Sequence, residues 1–228
     1  MNKDPHHMKR SYICAILVIG IICGALLLYF QNSNGDGITN PFDTFDNGGR
    51  YDSTALNDMG VIYSNRSDNH DFRGGYSESI NCPWGAIHNG IDFFLINDSS
   101  VIAAAPGLVE EISVTHDPAN TYNQYMIHIR IRFNDSIILG YVFEPFTNSS
   151  VDRDHQLSML DIEEGDWVGK AEQIGYLLRV GPSAHIHFSV YNDPYGAICP
   201  RPFFGQADYT EIMELVHTYQ PTWDLCYP

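Results

Sequence analysis

The chain has 228 residues, 44% of them hydrophobic and 18% charged, with a formal charge of −16. That length accommodates one domain, or a domain with an anchor and a linker. The acidity makes nucleic acid and anionic membrane surfaces poor partners. High salt or a cationic substrate fits it better, and a solvated acidic surface is the plainest reading.

Residues 1–11 read as a cytoplasmic tail. Its adjacent His6 and His7 are taken as solvated rather than as metal ligands. Residues 12–30 carry no charge and are almost wholly apolar, long enough to cross a bilayer as a helix. A cleavable signal peptide is the rival reading, but it calls for a shorter apolar run followed by a small-x-small site. Leu26-Leu27-Leu28-Tyr29-Phe30-Gln31 stands there instead, which favours an uncleaved anchor. Lys3, Lys9 and Arg10 precede the span, and no basic residue follows before Arg50. The positive-inside bias therefore predicts a single-pass protein of the cell membrane, with a cytoplasmic N-terminus and an extracytoplasmic C-terminal domain. Residues 31–56, rich in Gly, Asn, Asp and Ser, read as a flexible linker.

Three of the 12 basic residues and one of the 28 acidic residues (Asp4) precede residue 31, so the outer portion carries 9 basic and 27 acidic residues, a balance of −18. Cys82, Cys199 and Cys226 also lie there, where a disulfide persists. Three pairings are open; Cys199–Cys226, which would tie down the C-terminal tail, is preferred. Asn65, Asn97, Asn134 and Asn148 each begin an Asn-x-Ser triplet, a glycosylation pattern that also arises by chance.

Residues 57–206 form the predicted β domain. Short apolar runs recur between turn signals at 91–96, 101–105, 108–114, 125–133, 136–143, 173–178 and 185–190. Many short strands separated by turns predict an all-β fold with an antiparallel sheet core. Residues 207–228 form a C-terminal helix and tail, the helix covering roughly 209–218 with Ile212, Leu215 and Val216 on one side. Within the 125–143 hairpin, Asn134-Asp135 suits a two-residue turn. That turn would set Phe133 opposite Ser136, His128 opposite Tyr141 and Met126 opposite Phe143, with Glu144 on the other face. One extra turn residue would undo this register.

Two motifs carry chemistry. In His185-Ile186-His187-Phe188 the strand period puts both imidazoles on one face and the apolar pair on the other. Two buried imidazoles need partners; a metal is one, and a hydrogen-bonded pair on a solvated face is the alternative. His88 and Asp92 lie four apart across Gly90. Asp92 interrupts the apolar run Ile91-Asp92-Phe93-Phe94-Leu95, and a carboxylate inside an apolar strand needs a counter-charge. Zinc would supply it; an ordinary edge-strand Asp is the other reading. His70, His116, His155 and His217 read as surface residues.

His88-x-x-x-Asp92 followed by His185-x-His187 resembles the lysostaphin/LytM-type zinc endopeptidases (metallopeptidase family 23, the duplicated hybrid motif). Val101-Ile102-Ala103-Ala104-Ala105-Pro106-Gly107-Leu108-Val109 is similar to that family's V-x-A-x-x-x-G-x-V strand pair. Glu164-Gly165-Asp166-Trp167-Val168 and Gln173-Ile174-Gly175 are similar to its G-D-x-V and G-x-x-I-G segments, and the likeness extends over residues 60–203. The resemblance implies His88, Asp92 and His187 as zinc ligands with a fourth position left for water. It implies His185 as a catalytic histidine that moves a proton or stabilises the oxyanion. It also implies a further catalytic histidine in a Tyr-x-His strand after the hairpin turn. Here that stretch reads Gly140-Tyr141-Val142-Phe143-Glu144, with Phe143 in the histidine's place. Loss of one such donor costs on the order of 10²–10³ in rate. In the expected register, His128 lies diagonal to Phe143 and is the candidate to compensate.

Three readings follow. The first is a membrane-anchored zinc metalloendopeptidase, with cell-envelope peptides as the implied substrate class. The second is a catalytically degenerate, zinc-binding envelope-binding or regulatory domain. The third is a surface-layer or adhesion domain that shares only the fold. Oligomeric state is left open.

Overall fold

A computed structural model describes residues 56–228. The predicted tail, anchor and all but the last residue of the linker lie outside the described residues. Among the described residues no helix is long and apolar enough to cross a membrane.

The strands are β1 (Asn69–Phe72), β2 (Tyr76–Ser77), β3 (Ile91–Leu95), β4 (Ser99–Ile102), β5 (Gly107–His116), β6 (Tyr125–Arg132), β7 (Ile137–Glu144), β8 (Trp167–Val168), β9 (Gln173–Leu177), β10 (His185–Asn192), β11 (Gly196–Ile198) and β12 (Cys226–Tyr227). Eight of them form one sheet in the order β1-β3-β10-β7-β6-β5-β8, with β11 paired to β10. All pairings within it are antiparallel. Two small ladders, β4 with β9 and β12 with β2, complete the strand set. The fold is thus mostly antiparallel β, as the alternating apolar runs predict.

Burial alternates along β6, where Ile127, Ile129 and Ile131 are inside and the residues between them are half-buried. Across the sheet the apolar positions line up. Phe93, Ile186, Phe143 and Ile127 form one row, and Ile91, Phe188, Tyr141 and Ile129 the next. These rows share a single core with Val101, Ile174 and Leu177 from the β4–β9 ladder and with Ile212, Leu215 and Val216. The Tyr141 hydroxyl, wholly buried, accepts from the Ala104 amide at 2.7 Å.

The hairpin register differs from the expected one by a single residue. Phe133 N donates to Ile137 O at 2.9 Å. Asn134 Oδ1 accepts from the amides of Ser136 (2.9 Å) and Ile137 (2.8 Å). The turn therefore holds three residues, 134–136, and Ile127 faces Phe143, His128 faces Val142 and Ile129 faces Tyr141. Packing selects this register: fully burying a side chain such as Phe contributes about 1.5–3 kcal/mol, and a one-residue slip would turn the Ile and aromatic rows outward. Phe143 is accordingly fully buried, and Glu144 stands on the face opposite to the core, against expectation.

Two helices flank the sheet. The C-terminal one spans Gln206–Tyr219 and buries Ile212, Leu215 and Val216. It begins one residue before the expected boundary and is longer at both ends than expected. The other, Ser150–Ser158, was not anticipated. It is short and polar, and only its cap is legible: Ser149 Oγ accepts from the amides of Val151 and Asp152, an N-cap arrangement. His70 is also not a surface residue. It is half-buried against the edge of the Phe94 ring, and burial lowers its pKa.

Cys199 and Cys226 form a disulfide, leaving Cys82 as the free cysteine among the described residues. The bridge spans 27 residues and secures β12 beside β2, where Leu225 O accepts from Tyr76 N at 2.9 Å. Loop-closure entropy assigns such a bridge about 2–4 kcal/mol. The double variant Cys199→Ser/Cys226→Ser is expected to lose stability of that order in urea titrations, and a reductant should lower the wild-type midpoint without moving the variant's.

Candidate metal centre

The outer face of the sheet collects the polar positions of the strands that bury the core. Asp92 in β3 pairs with His187 in β10, His187 with Val142 in β7, and Val142 with His128 in β6. One step along, His185 pairs with Glu144. Because opposed residues of antiparallel strands share a face, these side chains all project to the same side. His88 precedes β3 and is held by a two-way backbone bridge with Ser77, at 2.8 and 3.1 Å.

His88, Asp92 and His187 converge. His187 Nδ1 lies 2.9 Å from Asp92 Oδ1, His88 Nε2 lies 3.2 Å from the same oxygen, and the two nitrogens are 3.1 Å apart. Bonds of about 2.0–2.1 Å in a tetrahedral zinc site imply ligand–ligand edges of about 3.3 Å. The triangle is close to that size.

Proton bookkeeping supports a cation at its centre. The Gly75 carbonyl, 2.6 Å from His88 Nδ1, can only accept, so Nδ1 carries a proton and the neutral ring turns the Nε2 lone pair inward. Ser189 Oγ, 3.0 Å from His187 Nε2, can accept there, which turns Nδ1 inward in the same way. With Ser189 accepting, two lone pairs and a carboxylate point at one locus, the donor set a zinc ion takes. The outer partners are of the kind that orient metal-bound imidazoles. The approach is close: a Cβ on Gly90 would lie 2.6 Å from His187 Nε2 and 2.5 Å from Phe188 O. The residues fit a zinc ion of three protein ligands and one open position.

The electrostatics agree. Burial alone would raise the Asp92 carboxyl, but hydrogen bonds from His185, His187 and His88 hold it well below the usual carboxylate range. Burial pulls His88 down, yet Asp92 outweighs it and the net shift is upward. His185 behaves likewise: burial lowers it, Asp92 and Glu144 raise it, and the result is about 9. Its Nδ1 donates to Ser183 O (2.8 Å), its ring stacks on Phe94 at 4.9 Å, and its Nε2 lies 3.4 Å from Asp92 Oδ1.

These groups line an open cavity of about 390 Å³ together with Asn89, Met126, His128, Val142, Glu144 and Tyr191. No Lys or Arg is among its lining residues. His128 lies on the cavity face but two strands from His187, with Val142 between, or about 10 Å between backbones. Its Nε2 is buried without a hydrogen-bond partner, and burial lowers its pKa. Phe143 points away into the core, so the β7 residues facing this cavity are Val142 and Glu144. Sequence reasoning missed Glu144. Its signal was the strand parity, read one residue out of step.

No model of a known protein family and no curated protein matches the chain. Among solved structures, the chain is similar to Csd3 of Helicobacter pylori, with 22% identity over 74% of this chain and 43% of that one, at a TM-score of 0.43. It is similar to the catalytic domain of the antimicrobial peptidase lysostaphin from Staphylococcus simulans, with 21% identity over 60% of this chain and 93% of that one, at a TM-score of 0.39. A zinc-containing peptidase from Vibrio cholerae shows 18% identity over 61% of this chain and 39% of that one, at a TM-score of 0.38. The chain thus spans less than half the length of Csd3 and of the Vibrio peptidase.

Asp92 raises the His88 pKa, and an imidazole ligates zinc only in its neutral form, so zinc binding competes with protonation there. Calorimetry in buffers of different ionisation enthalpy should show proton release, with affinity strengthening as pH rises through the imidazole range. Gly90→Ala should weaken zinc binding and cost about 1–3 kcal/mol of stability by overpacking.

Proposed function

We propose that this chain is a zinc metallopeptidase that hydrolyses peptide bonds, with peptides of the cell envelope as its substrate class. The observation that carries the reading is the triangle of His88, Asp92 and His187 at 2.9–3.2 Å at the base of an open cavity. Zinc held there would polarise a scissile carbonyl and bring a water's pKa to about 7. The chain's own residues would do the rest. Asp92 supplies the negative charge that retains the cation, while Gly75 and Ser189 aim the two imidazoles. His185, nearly buried and fixed through Nδ1, presents Nε2 to the cavity, where it can donate to the oxygen that gains charge as the carbonyl is attacked. His128, at the junction with a second cleft of about 260 Å³ lined by Ser113, Arg130 and Tyr191, would meet the bound peptide beyond the scissile bond.

The apolar run at 12–30, with Lys3, Lys9 and Arg10 before it, supports single-pass anchoring with the domain outside the cell. The disulfide fits that placement. Both belong to the proposal.

A second reading has one observation in its favour. The position facing His187 on β7 is Val142, an aliphatic residue where a polar group would serve catalysis. On this reading the chain keeps zinc and binds or regulates without cutting.

Metal analysis of the full chain should find one zinc, absent from His88→Ala. A glycine-rich or cell-wall peptide should be cleaved, and cleavage should stop with a chelator and return with zinc. Zinc retention without cleavage of any such peptide would select the second reading.

A further inference from the structure

We propose that Glu144 is the proton acceptor of this site, taking through Oε1 the proton of the water that attacks a carbonyl bound beside His88, Asp92 and His187. The inference rests on the hydrolytic reading above and assigns a catalytic residue that neither motif contains.

Three observations carry it. First, position: Glu144 pairs directly with His185 across β7 and β10, so its carboxylate projects from the face that bears Asp92 and His187 and lines the same cavity. Second, its two oxygens are differentiated. Oε2 accepts from Asn123 Nδ2 at 2.6 Å. Asn123 is itself only 3% exposed, and its amide N is anchored by Asn120 Oδ1 at 3.0 Å. A carboxylate can only accept, which assigns the Asn123 nitrogen to that contact. Oε1, by contrast, lies 3.6 Å from His185 Nε2, a spacing that leaves its lone pairs open to a water. Third, charge: among the described residues no Lys or Arg pairs with Glu144, whose side chain is 16% exposed and whose cationic neighbour is the His185 imidazole. Removing a carboxylate from water to that depth costs several kcal/mol unless something offsets it. The His185 imidazole beside Oε1 supplies part of that offset, and a carboxylate, unlike the isosteric amide of glutamine, can also take up a proton from the cavity.

The step balances. One O–H bond of the water breaks and its proton passes to Glu144 Oε1. The water oxygen bonds to the carbonyl carbon, and the π pair moves to the carbonyl oxygen. The C–N bond then breaks, and the proton held on Oε1 passes to the departing nitrogen. Peptide and water become a carboxylic acid and an amine, and Glu144 is again a carboxylate.

The test compares the full wild-type chain with Glu144→Gln and Glu144→Asp. Zinc affinity is measured first, by competition with a chromophoric chelator. Binding of acetohydroxamic acid to the zinc-loaded protein follows. A hydroxamic acid binds a metal as its anion, so its proton needs an acceptor in the site, whether or not the protein turns over substrate. Peptide hydrolysis is the third readout. Glu144→Gln should bind zinc as the wild type does, bind acetohydroxamic acid about tenfold or more weakly, and lose about 10²–10⁴-fold in hydrolysis. Glu144→Asp should recover part of both. Wild-type hydroxamate affinity in Glu144→Gln, or a zinc-loaded wild type that fails to bind the hydroxamic acid, would overturn the assignment of Glu144. A wild-type chain that takes up no zinc would overturn the hydrolytic reading itself, and this inference with it.

Discussion

One carboxylate organises the outer face of the sheet. Asp92 sits in β3 between Ile91 and Phe93, both wholly buried, and three imidazoles lie within 3.4 Å of its Oδ1. An ionised carboxylate removed from water to this extent costs several kcal/mol unless it is paired. The pairing comes from two distant stretches of chain, His88 and the His185–His187 strand. The outer contacts follow from the same demand. Gly75, Ser183 and Ser189 each take one ring nitrogen, so that the other nitrogen turns inward.

Strand parity turns this local demand into a site. β10 is central: its odd positions, His185 and His187, face the cavity, while its even positions, Ile186 and Phe188, lie in the core. β3 and β7 pair with it on either side and obey the same alternation. The rows that hold the sheet to its core therefore fix which polar residues meet above it. A change of register in any of the three strands would dismantle the core and the site together.

Much of this could be read from the chain, for identifiable reasons. His185-x-His187 is a period-2 statement and needs only the strand. Asp92 is conspicuous because its neighbours are apolar, and His88 follows through Gly90. The β6–β7 hairpin was not readable to the same precision. Its register depends on whether Asn134-Asp135 closes as two residues or takes in Ser136, and that is decided by side-chain hydrogen bonds from Asn134 and by the burial of Phe143. The error moved Phe143 onto the working face and removed Glu144 from it. The Ser150–Ser158 helix escaped because its residues are polar and its cap is a single serine. The burial of His70 depends on Phe94, a neighbour only in the folded sheet.

The C-terminal disulfide reaches further than the tail it fastens. Cys226 pairs with Tyr76 in β2, the residue after Gly75, whose carbonyl directs the His88 ring; the next residue, Ser77, clasps the His88 backbone. A covalent strap thus lies one strand away from the least sheet-bound member of the triangle. Opening it would leave β12 held beside β2 by backbone hydrogen bonds and packing alone, which loosens the support of the His88 ring while Asp92 and His187 keep their register on β3 and β10. The thiol balance of the surroundings therefore bears on how firmly the His88 ring is aimed.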